Sequence, residues 1–204
     1  IGRAQRRSLP VARLDVVASL ALIGMAIALP HYVHDAADRE QQRGLLDARP
    51  FSKEALASAR ASGKPVLVEK PAGLTAAQVA AVADVAARAG LLFAEAYMYR
   101  CHPQIARLLE ILKSGEIGTP RHIRAQFGFS AGFNPASRLY DRALGGGGIM
   151  DVGGYPVSLA RLVAGAAVGR AFADPVTVKG SGIVGQSGVD EVAYGLLGFA
   201  GGFT

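Results

Sequence analysis

Three residues with the chemistry for proton transfer stand where the chain must turn. Lys70 ends the apolar run of VLVEKPAGL (66–74), and Asp151 and Tyr155 lie four apart in GGGGIMDVGGYP (145–156). Oxidising a secondary alcohol needs a base for the hydroxyl proton and a cofactor to take the hydride, which no side chain accepts. A tyrosine with its ordinary pKa of about 10 is a poor base near neutrality, but an adjacent ammonium favours its phenolate. Lys70 is the candidate ammonium. Asp151 would then hold a substrate hydroxyl or orient Lys70. A plainer reading makes Lys70 a strand-end lysine paired with Glu69, and Tyr155 a helix-start aromatic whose ring is core.

These residues need elements to aim them. KPVLVEKP reads as a short buried strand, and Pro71 pushes Lys70 out of the helical region. Thr75 can cap a helix over TAAQVAAVADVAARAG, closed by Gly90. LLFAEAY is the next strand and HPQIARLLEILKSG the next helix. Before them, SKEALASARAS (52–62) reads as a helix ended by Gly63. Residues 35–50 are polar and charged, an exposed helix and loop. This alternation predicts parallel βαβ units, whose ligands bind outside the carboxyl ends of the strands. Glu69, Lys70 and Glu95 occupy such ends. Beyond Gly115, PRHIRAQFGFSAGF, PVTVKG and EVAYGLLGF read as strands around one glycine-led helix, which predicts an α+β unit with an open, mainly antiparallel sheet.

Composition narrows the class. The chain has 204 residues, half of them hydrophobic, which suits a packed core and argues against disorder. Its net charge of +6 could suit nucleic acid, but Arg3, Arg6, Arg7 and Arg13 crowd the start, and no basic stripe interleaved with aromatics follows. The single Cys101 forms no internal disulfide and suits a reducing, cytoplasmic setting. Cys101 and His102 have no partner at metal-ligand spacing, so no metal is expected. The apolar run 16–29 has 14 residues, short of the ~20 that cross a bilayer. It reads as a buried strand or helix, because no small-residue cleavage site follows before Pro30. The sequence starts at Ile1 and stops at GFAGGFT, which reads as a fragment.

PHYVH (30–34), VEKP (68–71), EAYMYRCHP (95–103) and GGGGIMDVGGYP occur in that order. The series resembles the Gfo/Idh/MocA oxidoreductases, and within them the sugar and trans-dihydrodiol dehydrogenase branch. The resemblance implies an α/β fold: a partial Rossmann-type parallel sheet over residues 1–98, with 1–50 atypical, followed by a truncated α+β substrate and oligomerisation domain over 99–204. It implies NAD or NADP as cofactor, held by Pro30, His31, His34, Glu69, Lys70, Pro71, Glu95 and Arg100, with Lys70–Pro71 a cis peptide beside the nicotinamide. His34 reads equally well as an ordinary loop histidine. Lys70, Tyr155 and Asp151 would be catalytic toward a sugar, polyol or cyclic diol. The complete protein would be a homo-oligomer, dimer or tetramer, without nucleic acid or membrane.

One expected feature is missing. The dinucleotide fingerprint G-x-G-x-x-G should open the first βαβ unit. The match Gly180–Gly185 follows strand-like VTVK but precedes no helix, and it reads as a loop decoy. The alternative function is therefore a non-catalytic binding or assembly fragment without a cofactor site.

Overall fold

The computed structural model describes Ala61, Gly63 and residues 65–204. The apolar run 16–29, the polar stretch 35–50, nearly all of the expected 52–62 helix, and Pro30, His31 and His34 lie outside the described residues.

Strands β1 (Val66–Val68) and β2 (Phe93–Glu95) pair in parallel, with Val66 opposite Phe93 and Val68 opposite Glu95. Helix α1 (Ala76–Arg88) crosses between them. Its alanines lose no side-chain entropy on helix formation. Thr75 accepts the Gln78 N–H, and the Gln78 side chain reaches back to the Thr75 N–H, a reciprocal capping box. Val82 and Ala86, four apart, are the buried face.

A single 3-10 turn (Met98–Cys101) leads into α2 (Pro103–Ser114). Proline suits the first helical turn, where its missing N–H costs nothing. His102 is the cap: its ring Nδ1 accepts the Gln104 N–H. Gly115 ends the helix at φ 73°, the left-handed conformation that glycine adopts without strain. Leu112 of α2 packs on α3 (Gly154–Ala167), whose Ala160, Val163, Ala164 and Ala166 join Phe199 and Phe203 in the core. Burying each of the larger side chains contributes about 1.5–3 kcal/mol.

Strands β3 (Thr177–Val184) and β4 (Asp190–Gly198) form an antiparallel hairpin. The fold is thus mixed α/β, with a small parallel and a small antiparallel sheet. The hairpin carries apolar side chains yet is open to solvent: Val178 is 66% exposed and Tyr194 67%.

Two expectations need correcting. The G-x-G-x-x-G match is not a loop. Gly180–Val184 lies inside β3, because β4 runs alongside and completes its ladder, with Ser181 opposite Tyr194. Residues 120–133 were expected to form a strand, and no strand is assigned there. Half-buried Ile123, Ala125 and Phe127 do alternate with exposed neighbours. A strand also needs a partner, however, and among the described residues the backbone–backbone hydrogen bonds to this stretch are those linking Arg121 and Ile123 to Thr204. Among the described residues, no helix is long and apolar enough to cross a membrane.

Candidate active site

Lys70 stands two residues past the end of β1, and its bond to Pro71 is cis. The turn after it is tied to β2, since the Ala72 N–H donates to Glu95 Oε1 at 2.8 Å. From there the Lys70 ammonium crosses 81 residues of sequence to Asp151, donating to its backbone carbonyl and lying 3.3 Å from Oδ1. Asp151 sits in a π-helical turn (Ile149–Gly153) that precedes α3, a local geometry that recurs at functional sites.

Asp151 is 8% exposed, the one buried charged residue among those described. A lone buried carboxylate would be costly. Here two cations offset that cost, because Arg138 Nη2 also donates to Oδ1 at 3.0 Å. The Lys70 side chain is 16% exposed and that of Arg138 50%, so the pair is screened on the Arg138 side.

The ring of Tyr155 is boxed by aromatics. Tyr97 meets it edge-on at 5.4 Å, Tyr99 at 6.1 Å, and Phe127 lies tilted at 5.4 Å. Lys70 Nζ is 5.6 Å from its centroid, within cation–π range. This arrangement differs from the expected one. Burial raises the Tyr155 pKa above the usual phenol range, and Glu69 and Asp151 add to the rise. The ammonium is held at Asp151 and lies toward the ring, not bonded to the hydroxyl, so it does not draw out a phenolate. Tyr155 is a neutral phenol near neutrality, its hydroxyl able to donate a hydrogen bond.

Tyr97 and Tyr99 shift the same way. Burial is the main cause in both; Glu95 adds to it for Tyr97, and the hydrogen bond between the Tyr99 and Ser158 hydroxyls, 2.8 Å apart, opposes it for Tyr99. A tyrosine whose folded-state pKa exceeds its unfolded value adds stability that is fully present below about pH 10 and is lost as pH rises through the higher folded value. We expect melting temperatures to fall above about pH 10, and less steeply in a Tyr97→Phe, Tyr99→Phe double variant. Equal alkaline losses in the two proteins, measured by thermal melts across that range, would refute this.

The structure therefore brings Lys70, Asp151 and Tyr155 together, with Pro71 adjacent and Glu95 bracing the turn. Glu69 is exposed. Arg100 stands elsewhere, its guanidinium 4.4 Å over the Phe172 ring. Arg138, Tyr97 and Tyr99 were not singled out from the sequence. The Tyr97-x-Tyr99 pair directly after a strand end was a usable signal, but nothing local marked Arg138. A cleft of about 970 Å³ between residues 122–131, the π turn and β4 has Asp151 on its wall but neither Lys70 nor Tyr155.

Residues 105–204 match the family profile described as GFO/IDH/MocA C-terminal domain. The chain is 35% identical over 153 residues to trans-1,2-dihydrobenzene-1,2-diol dehydrogenase of Mus musculus, covering 75% of this chain and 44% of that protein. It is 36% identical over 142 residues to D-xylose 1-dehydrogenase (NADP(+)) 2 of Haloferax volcanii, covering 70% and 41%. The crystal structure of GenD2 from gentamicin A biosynthesis, in complex with NAD, superposes with a TM-score of 0.63 at 25% identity, over 76% of this chain and 44% of that one. The chain spans less than half the length of these relatives. On its ordered motifs, its mixed α/β fold and the match over residues 105–204, the chain belongs to the Gfo/Idh/MocA family.

Proposed function

We propose that the protein carrying this chain is an NAD- or NADP-dependent dehydrogenase acting on a secondary alcohol of a sugar, polyol or cyclic diol. The observation that carries the reading is the Lys70–Asp151–Tyr155 group at the carboxyl end of a parallel strand. The named activities of the mouse and Haloferax relatives, and the NAD in the GenD2 crystal structure, support it. We also propose that residues 1–98 belong to a cofactor domain and 99–204 to a substrate domain, that the protein is cytoplasmic, and that it assembles through the exposed apolar hairpin.

The donor set at this strand end fits the reactive half of such a cofactor. An ammonium and a neutral phenol flank one carboxylate, and none of the three can accept a hydride. Lys70 and Pro71 would line the nicotinamide side, with Glu69 beyond. Glu95 would act through the turn it braces and Arg100 through Phe172. No glycine-rich phosphate turn stands among the described residues. When bound, the nicotinamide takes up or returns the hydride.

The chain's own residues handle the oxygen. Asp151 keeps the Lys70 ammonium in place, so that it can stabilise negative charge developing on the substrate oxygen. Tyr155, as a neutral phenol, donates a hydrogen bond to that oxygen and can give it a proton. This suits carbonyl reduction near neutrality. In the oxidation direction, turnover should climb through the alkaline range as the phenol ionises.

The test is to titrate the native protein with NAD and NADP by nicotinamide fluorescence and to assay D-xylose and cyclic trans-diols. Cofactor binding with turnover of one substrate class is expected. Failure to bind either nucleotide would overturn the reading, and binding without turnover on any secondary alcohol would point to a binding or assembly role.

A further inference from the structure

We propose that Asp190 is a positioning residue for the Lys70–Asp151–Tyr155 group, an assignment that rests on the function proposed above. Asp190 is the first residue of β4, yet its Oδ2 accepts the backbone N–H of Ile149, 41 residues away, at 2.7 Å. Ile149 opens the π turn whose third residue is Asp151. An N–H in a first helical turn has no carbonyl partner within the helix, and a carboxylate there also meets the positive end of the helix dipole.

The carboxylate is bedded in the tetraglycine run, not merely near it. A Cβ added to Gly147 would come within 2.3 Å of Asp190 Oδ1, and Gly147 has φ +109°, a conformation side chains rarely adopt. Gly147 is in turn the joint of the site. Its carbonyl accepts the Asp151 N–H at 3.0 Å, and its own N–H donates to the Leu139 carbonyl at 2.9 Å, in the turn (Arg138–Tyr140) that carries Arg138. The Asp190 carboxylate thus sets, through Gly147 and Ile149, where the Asp151 backbone lies. Lys70 depends on that placement, because it donates to the Asp151 carbonyl as well as to the side chain. Next to Asp190, Val189 is buried at 5% exposure, and its carbonyl accepts the Gly185 N–H at 2.9 Å, which fixes the base of the lever in the hairpin.

The experiment compares Asp190→Ala and Asp190→Asn with the unaltered native protein by two readouts. One is turnover. The other is the nuclear magnetic resonance signal of the Lys70 ammonium, which reports its pairing with Asp151 whether or not the protein catalyses anything. Asp190→Ala should lower kcat about 10- to 100-fold, the cost of displacing a catalytic group by about 1 Å, with cofactor KM little changed. Its Lys70 signal should move toward that of exposed lysines at temperatures where circular dichroism shows the protein folded. Asp190→Asn keeps the acceptor oxygen, and asparagine caps about as well as aspartate, so kcat should recover to within about threefold. Should Asp190→Ala not fold, Asp190→Ser, whose hydroxyl does not extend as far, takes its place. An unmoved Lys70 signal overturns the proposal whatever happens to kcat. A moved signal with unchanged kcat upholds the positioning but refutes the catalytic role given to Lys70, whereas a moved signal in a protein that turns over no secondary alcohol even unaltered refutes the dehydrogenase reading alone.

Discussion

Lys70→Ala in the native protein should lower kcat by about 10²-fold or more, the usual worth of a positioned acid–base or charge-stabilising group. The cofactor dissociation constant should change far less, because phosphates rather than the redox ring contribute most of dinucleotide affinity. The structural ground is specific. Lys70 reaches both oxygens that Asp151 offers it and stands over the Tyr155 ring, so its loss removes the cation around which the other two are arranged. Tyr155→Phe should cost a similar factor, since it removes the donor hydroxyl and leaves the ring in its aromatic box. The double variant should be little slower than either single one, because residues that act on one proton as a unit are not additive. Steady-state kinetics beside fluorescence titration decides the matter. Near-normal turnover in Lys70→Ala would reduce Lys70 to a strand-end lysine and end the catalytic assignment.

Replacing Asp151 should damage both activity and stability. Asp151→Ala strips the counter-charge from two cations at once. Removing one partner of a fully buried pair costs about 3–5 kcal/mol. Arg138 is half exposed and can turn to water, so the expected loss is smaller, about 1–3 kcal/mol. Turnover should fall about 10²-fold, since Lys70 loses its side-chain anchor. Asp151→Asn, which keeps the shape and one acceptor oxygen, should be intermediate on both scales. Chemical denaturation with kinetics on the same samples tests this. Stability unchanged and kcat within about threefold in Asp151→Ala would show that Asp151 neither anchors Lys70 nor holds the fold.

Much of the frame is local chemistry and was legible in the chain. The box that starts α1 needs only Thr75 and Gln78, three residues apart. The start of α2 needs His102 and Pro103, and its stop needs Gly115. The apolar runs of β1 and β2 and the length of the helix between them called for a parallel pair, and the order of VEKP, EAYMYRCHP and GGGGIMDVGGYP placed Lys70, Asp151 and Tyr155 in one family pattern. Each of these depends on interactions within a few residues, or on an ordered pattern that survives in one dimension. The tertiary structure decided the rest. The upward shift of the Tyr155 pKa follows from burial, with Tyr97, Tyr99 and Phe127 closing around the ring, and from Glu69 and Asp151 brought near it. Arg138 and Asp190 carry no local signal, because their partners lie 13 and 41 residues away. Gly180 and Gly182 lie in a strand because β4 runs beside them, and residues 120–133, equally strand-like in pattern, do not, because among the described residues only Thr204 bonds to them backbone to backbone from another segment. A helix closes its hydrogen bonds within itself, whereas a strand and a buried charge are completed only by residues that folding brings from elsewhere in the chain.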